Sequence, residues 1–131
     1  MVVSLKRADV FVPDWRGNLD QPEDRQVKFH FRFIGSADRK SYVYAKPMEF
    51  TQEIGKTEGQ LGKMEMIQDG KGLALRMVTR IENLELEYDD GKKVVIDDIR
   101  EFYKYPLSDL AAMVESHMLE ATAVVDSKNS E

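Results

Sequence analysis

From Leu73 to Ile96 the chain reads LALRMVTRIENLELEYDDGKKVVI, and a change of period within this stretch decides the class of fold. Leu73, Ala74, Met77, Val78 and Ile81 recur at helical spacing, with Arg76, Thr79 and Arg80 on the other side. That spacing predicts an amphipathic helix packed on a sheet or a partner. The period then falls to two, because Leu84, Leu86 and Tyr88 alternate with Glu85 and Glu87 before Asp89-Asp90-Gly91 leads into Lys92-Lys93-Val94-Val95-Ile96. A hairpin is predicted, since Asp-Gly supplies the positive φ angles of a tight turn. Glu85 and Glu87 would face Lys92 and Lys93 across it. Such pairs contribute roughly a few tenths of a kcal/mol each, so they set register rather than chemistry.

The same stretch continues toward Asn129. Asp97 or Asp98 can cap a short helix through Ile99, Phe102 and Tyr103, which Pro106 ends by disfavouring helical geometry at Tyr105. A longer helix is predicted to start between Pro106 and Asp109, where acidic charge meets the positive end of its dipole. Leu107, Leu110, Ala111, Val114, Met118, Ala121 and Val125 form its main apolar stripe, and Met113, Leu119 and Val124 widen it beyond one packing seam. Two roles stay open for this helix: it closes the core, or its methionine-rich side offers an adaptable apolar surface to a partner. Asp126 to Glu131 reads as a polar, frayed tail after a domain spanning residues 1–125.

Working toward the N-terminus, Gln26 to Ile34 is the clearest strand. Val27, Phe29, Phe31 and Phe33 alternate with Lys28, His30 and Arg32, which gives one buried and one wet face. Val10 to Val12 suggests an earlier strand stopped by Pro13, and Asp14 to Arg25 reads as a connection in which Trp15 caps the core edge or anchors a contact. Ser36 can cap a short helix running through Lys40 and Tyr44, although Tyr42, Val43 and Tyr44 also have strand propensity; Pro47 ends whichever element forms. From Thr51 to Gly72 the glycines at 55, 59, 62, 70 and 72 predict an irregular backbone, a hinge or a segment that orders on binding, with a short strand at Lys63 to Ile67. The glycines at 55, 59 and 62 are not followed by the Lys-Ser or Lys-Thr of a phosphate loop.

The chain has 131 residues, no cysteine and a net charge of −5. Its length suffices for one hydrophobic core, and the missing thiols exclude a disulfide framework and a thiolate zinc site. The negative balance makes nucleic acid a poor partner. No leader-like N-terminus and no long apolar run stand out, which predicts a cytoplasmic protein without a membrane span. Candidate chemistry is sparse. His30 sits on the wet face of a strand, and His117 with Glu115 or Glu120 is the one pairing that could hold a metal or serve a small enzyme. Asp89-Asp90 lacks the alternating oxygen ligands and terminal Glu of a calcium loop, and no Gly-x-Ser-x-Gly elbow occurs. The expectation is an α+β domain with a small, mostly antiparallel sheet and several helices including a C-terminal amphipathic one, a binding role, no cofactor, no metal and no catalytic residue.

The segment Val27 to Phe33, Ser36-Ala37-Asp38-Arg39-Lys40-Ser41-Tyr42, Val78-Thr79-Arg80-Ile81-Glu82-Asn83-Leu84, Asp90-Gly91-Lys92-Lys93, Pro106-Leu107 and Asp126-Ser127-Lys128-Asn129 together resemble the tail assembly chaperones of bacteriophages and prophages. The resemblance implies a small cytoplasmic factor of the bacterial host that binds the tail tape measure protein. It would keep apolar helical segments soluble until tail tube subunits assemble around them, and many such factors are also made in a longer, frameshifted form. It further implies helix-in-groove docking, for which Met77, Val78, Ile81, Leu110, Met113, Val114 and Met118 are the expected anchors. A homo-oligomer coating one long partner would gain avidity. The alternative is a virion subunit, such as a completion or connector protein, joined to its neighbours by strand addition near Val10 or Val94.

Overall fold

Phenylalanines at alternate positions build the centre of the molecule. The computed structural model describes residues 1–48 and 63–130, with side chains as far as Ala123. Strand β2 (Lys28–Arg32) lies between β1 (Ala8–Phe11) and β5 (Val78–Glu82) in an antiparallel sheet of order β1-β2-β5. Phe29 and Phe31 are fully buried, Val27 is buried, and Lys28, His30 and Arg32 alternate with them toward the other face. Pro13 follows β1 and is itself buried. The connection after it contains two single 3-10 turns, Asn18–Asp20 and Glu23–Arg25. The buried Asn18 pins this connection: its amide donates to the carbonyls of Pro13 (2.9 Å) and Val27 (3.1 Å), and its oxygen accepts from Val27 N–H (2.7 Å).

The helix expected through Ile81 stops four residues early. Helix α2 covers Gly70–Met77, and the chain passes directly into β5 at Val78. A β-bulge accounts for the helical spacing. Phe31 pairs with Val78 but His30 pairs with Arg80, so Thr79 is an extra residue on β5. In a regular strand, Val78 and Ile81 would face opposite sides. The bulge returns both to the core, at 6% and 2% exposure, and mimics a helical i, i+3 step. The glycines expected to loosen this region do the reverse. Gly70 is buried at the start of α2, where a Cβ would lie 2.8 Å from Glu115 Cβ on α4 (Ser108–Ser130). Gly72 donates its N–H to the N-cap Asp69.

The predicted hairpin is present as β6 (Leu84–Glu87) and β7 (Lys93–Ile96). Tyr88 N–H donates to Lys92 O, and Gly91 N–H to Tyr88 O. Asp89-Asp90-Gly91 is therefore a three-residue loop in which Gly91 alone takes a positive φ (89°). Glu87 is opposite Lys93 as expected, whereas Glu85 is opposite Val95. Asp98 caps α3 (Ile99–Phe102), accepting from Arg100 N–H at 2.8 Å.

The short helix predicted from Ser36 is α1 (Ser36–Arg39), with Gly35 at the N-cap position; strand propensity then prevails and β3 runs Val43–Pro47. It pairs antiparallel with β4 (Met64–Gln68) in a separate two-stranded ribbon. The glycines at 55, 59 and 62 lie outside the described residues. Helix α4 continues through positions 126–130 without a break. Leu73, Ala74 and Met77 of α2, Ile99 and Phe102 of α3, and Leu110, Val114 and Met118 of α4 join Phe29, Phe31, Ile81, Leu84 and Ile96 in one core. The fold is a small α+β domain of antiparallel sheets and helices.

Candidate functional site

Six of the seven expected docking residues belong to this core. Met77, Leu110, Val114 and Met118 are completely buried, and Val78 and Ile81 nearly so; Met113 is half-buried. Their apolar surface is consumed by contact between α2, α4 and the sheet, so they hold the domain together and are not a docking face. The α4 stripe faces inward at Leu110, Val114 and Met118. Helix α2 packs along it, and Thr122 takes a buried position beyond Met118, donating to Met118 O at 2.8 Å.

His117 and Glu115 turn to different neighbours. The imidazole stacks on Phe11 with ring centroids 4.1 Å apart and meets the edge of Phe31 at 5.5 Å. Burial among these rings pushes its pKa below the ordinary histidine value, opposed in part by the charges of Glu120 and Asp9. Glu115 faces elsewhere and accepts a 2.8 Å hydrogen bond from Tyr103 OH. Burial, followed by this bond, raises the Tyr103 phenol far above its usual range. Among the described residues, no group of three His, Cys, Asp or Glu side chains is placed to hold a metal ion.

His30 has partners that the alternating pattern did not disclose. On the outer face of the sheet its Nε2 lies 2.7 Å from Glu82 Oε1, and Arg80 Nη2 lies 2.8 Å from the same oxygen and 3.2 Å from the same ring nitrogen. The hydrogen bond from His30, then the charge of Arg80, holds the Glu82 carboxyl below its usual value. Val10, Val12, Gln26 and Lys28 complete an open hollow of about 510 Å³ beside this triad. Its carboxylates already have cationic partners, since Lys28 is 3.8 Å from Glu23 and Arg80 is 2.8 Å from Glu82.

Trp15 is half-buried against the core, and its indole N–H donates to Asp109 Oδ2 at 2.9 Å in the first turn of α4. Arg16 lies over the indole ring at 4.7 Å and 3.7 Å from the same carboxylate. Trp15 thus ties the N-terminal connection to the C-terminal helix as a core-edge clamp.

The surface that sequence reasoning missed is the β3–β4 ribbon. The register places Ala45 opposite Met66 and Pro47 opposite Met64, so all four share one face. All four are exposed, Met64 at 54% and Met66 at 61%. The other face carries Tyr44, Ile67 and the Lys46–Glu65 ion pair at 3.4 Å. Only the Val43 end enters the core. A legible signal existed in Met64-Glu65-Met66-Ile67, but nothing in one strand reveals what will cover it.

No family model, no curated protein and no solved structure matches this chain. No helix among the described residues is long and apolar enough to cross a membrane.

Proposed function

We propose that this chain is a non-catalytic tail assembly chaperone of a phage or prophage, which binds apolar helical segments of a tape measure protein in the bacterial cytoplasm and keeps them soluble until tail tube subunits assemble. The sequence resemblance motivates the reading. The structural observation that supports it is the exposed face formed by Ala45, Pro47, Met64 and Met66. Methionine side chains are flexible and polarizable, which suits a surface that must accept many related apolar sequences. Five strand residues span about 17 Å, close to three turns of helix. One such contact is weak, and repetition along a long client supplies avidity.

The ribbon face replaces the buried α2 and α4 positions as the docking surface in this reading. Co-expression with the large helical protein encoded nearby tests it. The wild-type chain should co-purify with that protein and raise its soluble fraction, whereas Met64→Asp/Met66→Asp should remain folded and lose both effects. A client equally soluble with either chain sinks the reading, and stoichiometric presence of this chain in purified particles assigns it to the virion instead.

A further inference from the structure

The hydrogen bonds of the ribbon determine which backbone groups face outward. At its two ends, Asp69 N–H donates to Tyr42 O (2.8 Å) and Met48 N–H to Lys63 O (3.3 Å). Both bonds fit the single register in which Tyr44 is opposite Ile67 and Lys46 opposite Glu65. Antiparallel ladders alternate hydrogen-bonded and non-hydrogen-bonded pairs. Tyr44, Lys46, Glu65 and Ile67 therefore turn their backbone groups inward. Val43, Ala45 and Pro47 on β3, and Met64, Met66 and Gln68 on β4, turn theirs outward.

The two outer edges are unequal. Pro47 has no N–H and blunts the edge of β3. The edge of β4 keeps the outward N–H and C=O groups of Met64, Met66 and Gln68, and among the described residues no strand pairs with it. A ribbon of two strands is marginal by itself in water.

We propose that β4 pairs antiparallel with β4 of a second copy about a two-fold axis through Met66, joining two ribbons into a four-stranded sheet of order β3-β4-β4-β3. Charge selects the occupant and the register. With Met66 opposite its own copy, Met64 is opposite Gln68, Glu65 opposite Ile67, and Lys63 opposite Asp69, so opposite charges meet at both ends and like charges nowhere. Outward groups also meet outward groups. Sliding by two residues keeps that match but places Glu65 opposite its own copy in one direction and opposite Asp69 in the other, and both are like-charge pairs. The edge is short against the roughly 800 Å² per partner of a standard stable interface, which makes this a reversible, concentration-dependent dimer. The pairing stands independently of the tail-assembly reading, and its test requires no other protein.

The absence of cysteine makes single-cysteine variants clean reporters. Across a hydrogen-bonded antiparallel pair the Cα atoms are about 5.5 Å apart, within disulfide reach. Under mild oxidation Met66→Cys should form a covalent dimer at least about tenfold faster than the exposed ribbon control Tyr44→Cys. Sedimentation of the wild type from micromolar to millimolar concentration should show a reversible dimer. Met66→Pro removes one outward N–H and no internal ladder bond, and it should sediment as a monomer with unchanged circular dichroism. If that variant loses its ribbon signal, Met66→Lys, which sets two like charges together on the axis, takes its place with the same expectation. A wild type that stays monomeric with equal cross-linking rates for the two cysteines overturns the proposal, as does a dimer that survives a folded Met66 variant.

Discussion

Four methionines divide between two regions that treat the same side chain in opposite ways. Met77 and Met118 are completely buried where α2 crosses α4, while Met64 and Met66 stand more than half exposed on the β3–β4 ribbon. Met64 and Met66 share one face of β4, whereas Met77 comes from α2 and Met118 from α4. In the core, two helices and a sheet bury these side chains; on the ribbon, no described element does so. A periodic apolar stripe therefore reports a face that can be buried, and the neighbouring elements decide whether it is.

The largest expected effect comes from placing the same charge in each region. Met118→Asp should abolish folding or cost about 3–5 kcal/mol, because the carboxylate would be buried without a partner. Met66→Asp should move stability by no more than about 0.5 kcal/mol, as for other exposed sites. Urea unfolding of the two variants measures the contrast directly, and equal losses would remove the distinction between core and ribbon.

Backbone proximity gives the next test. Gly70→Ala puts a Cβ 2.8 Å from Glu115 Cβ, and overpacking of this kind costs about 1–3 kcal/mol, partly offset by the better helix propensity of alanine. Asn18→Ala should cost a similar amount, about 1–3 kcal/mol, by leaving buried Val27 N–H and Pro13 O without their partner. Thermal unfolding should show both losses while the ribbon variants stay near wild type.

A smaller effect depends on pH. The folded pKa of His117 lies below its unfolded value near 6.5 because its ring is buried against Phe11 and Phe31. The unfolded chain then binds the proton more readily, so stability is fully present above that value and declines as pH falls through the folded pKa. His117→Phe should preserve the stacking and flatten this limb in chemical unfolding between pH 7 and pH 5. The smallest change should come from Asp109→Asn. The Trp15 hydrogen bond and then the Leu110 N–H depress that carboxyl, so its stabilisation exists above the unfolded value and fades in acid. The variant should lose only this acid dependence, in line with the exposure of the pair.

Much of the fold was legible because each pattern had one local cause. The Val27-to-Phe33 alternation, the Asp-Asp-Gly loop, the Asp98 cap and the α4 stripe depend on neighbours within a few residues, and each element formed where its signal lay. The α2–β5 junction was not legible, since the bulge at Thr79 depends on pairing with His30 and Phe31 far away in the chain. Gly70 was misread for the same reason: its use is set by the approach of Glu115, not by the glycines near it in sequence. The partners of His30 were equally hidden, because Arg80 and Glu82 reach it only across the sheet.

By itself the sequence determined the α+β class, the missing thiol chemistry, the hairpin and the apolar face of the last helix, because period, composition and turn chemistry act over short distances. Only the tertiary structure decided that Met77, Val78, Ile81, Leu110, Val114 and Met118 are interior, that His117 is an aromatic spacer, and that Met64 and Met66 lie open beside a strand edge with which no described strand pairs. Burial is a relation between distant segments, and no single segment carries it.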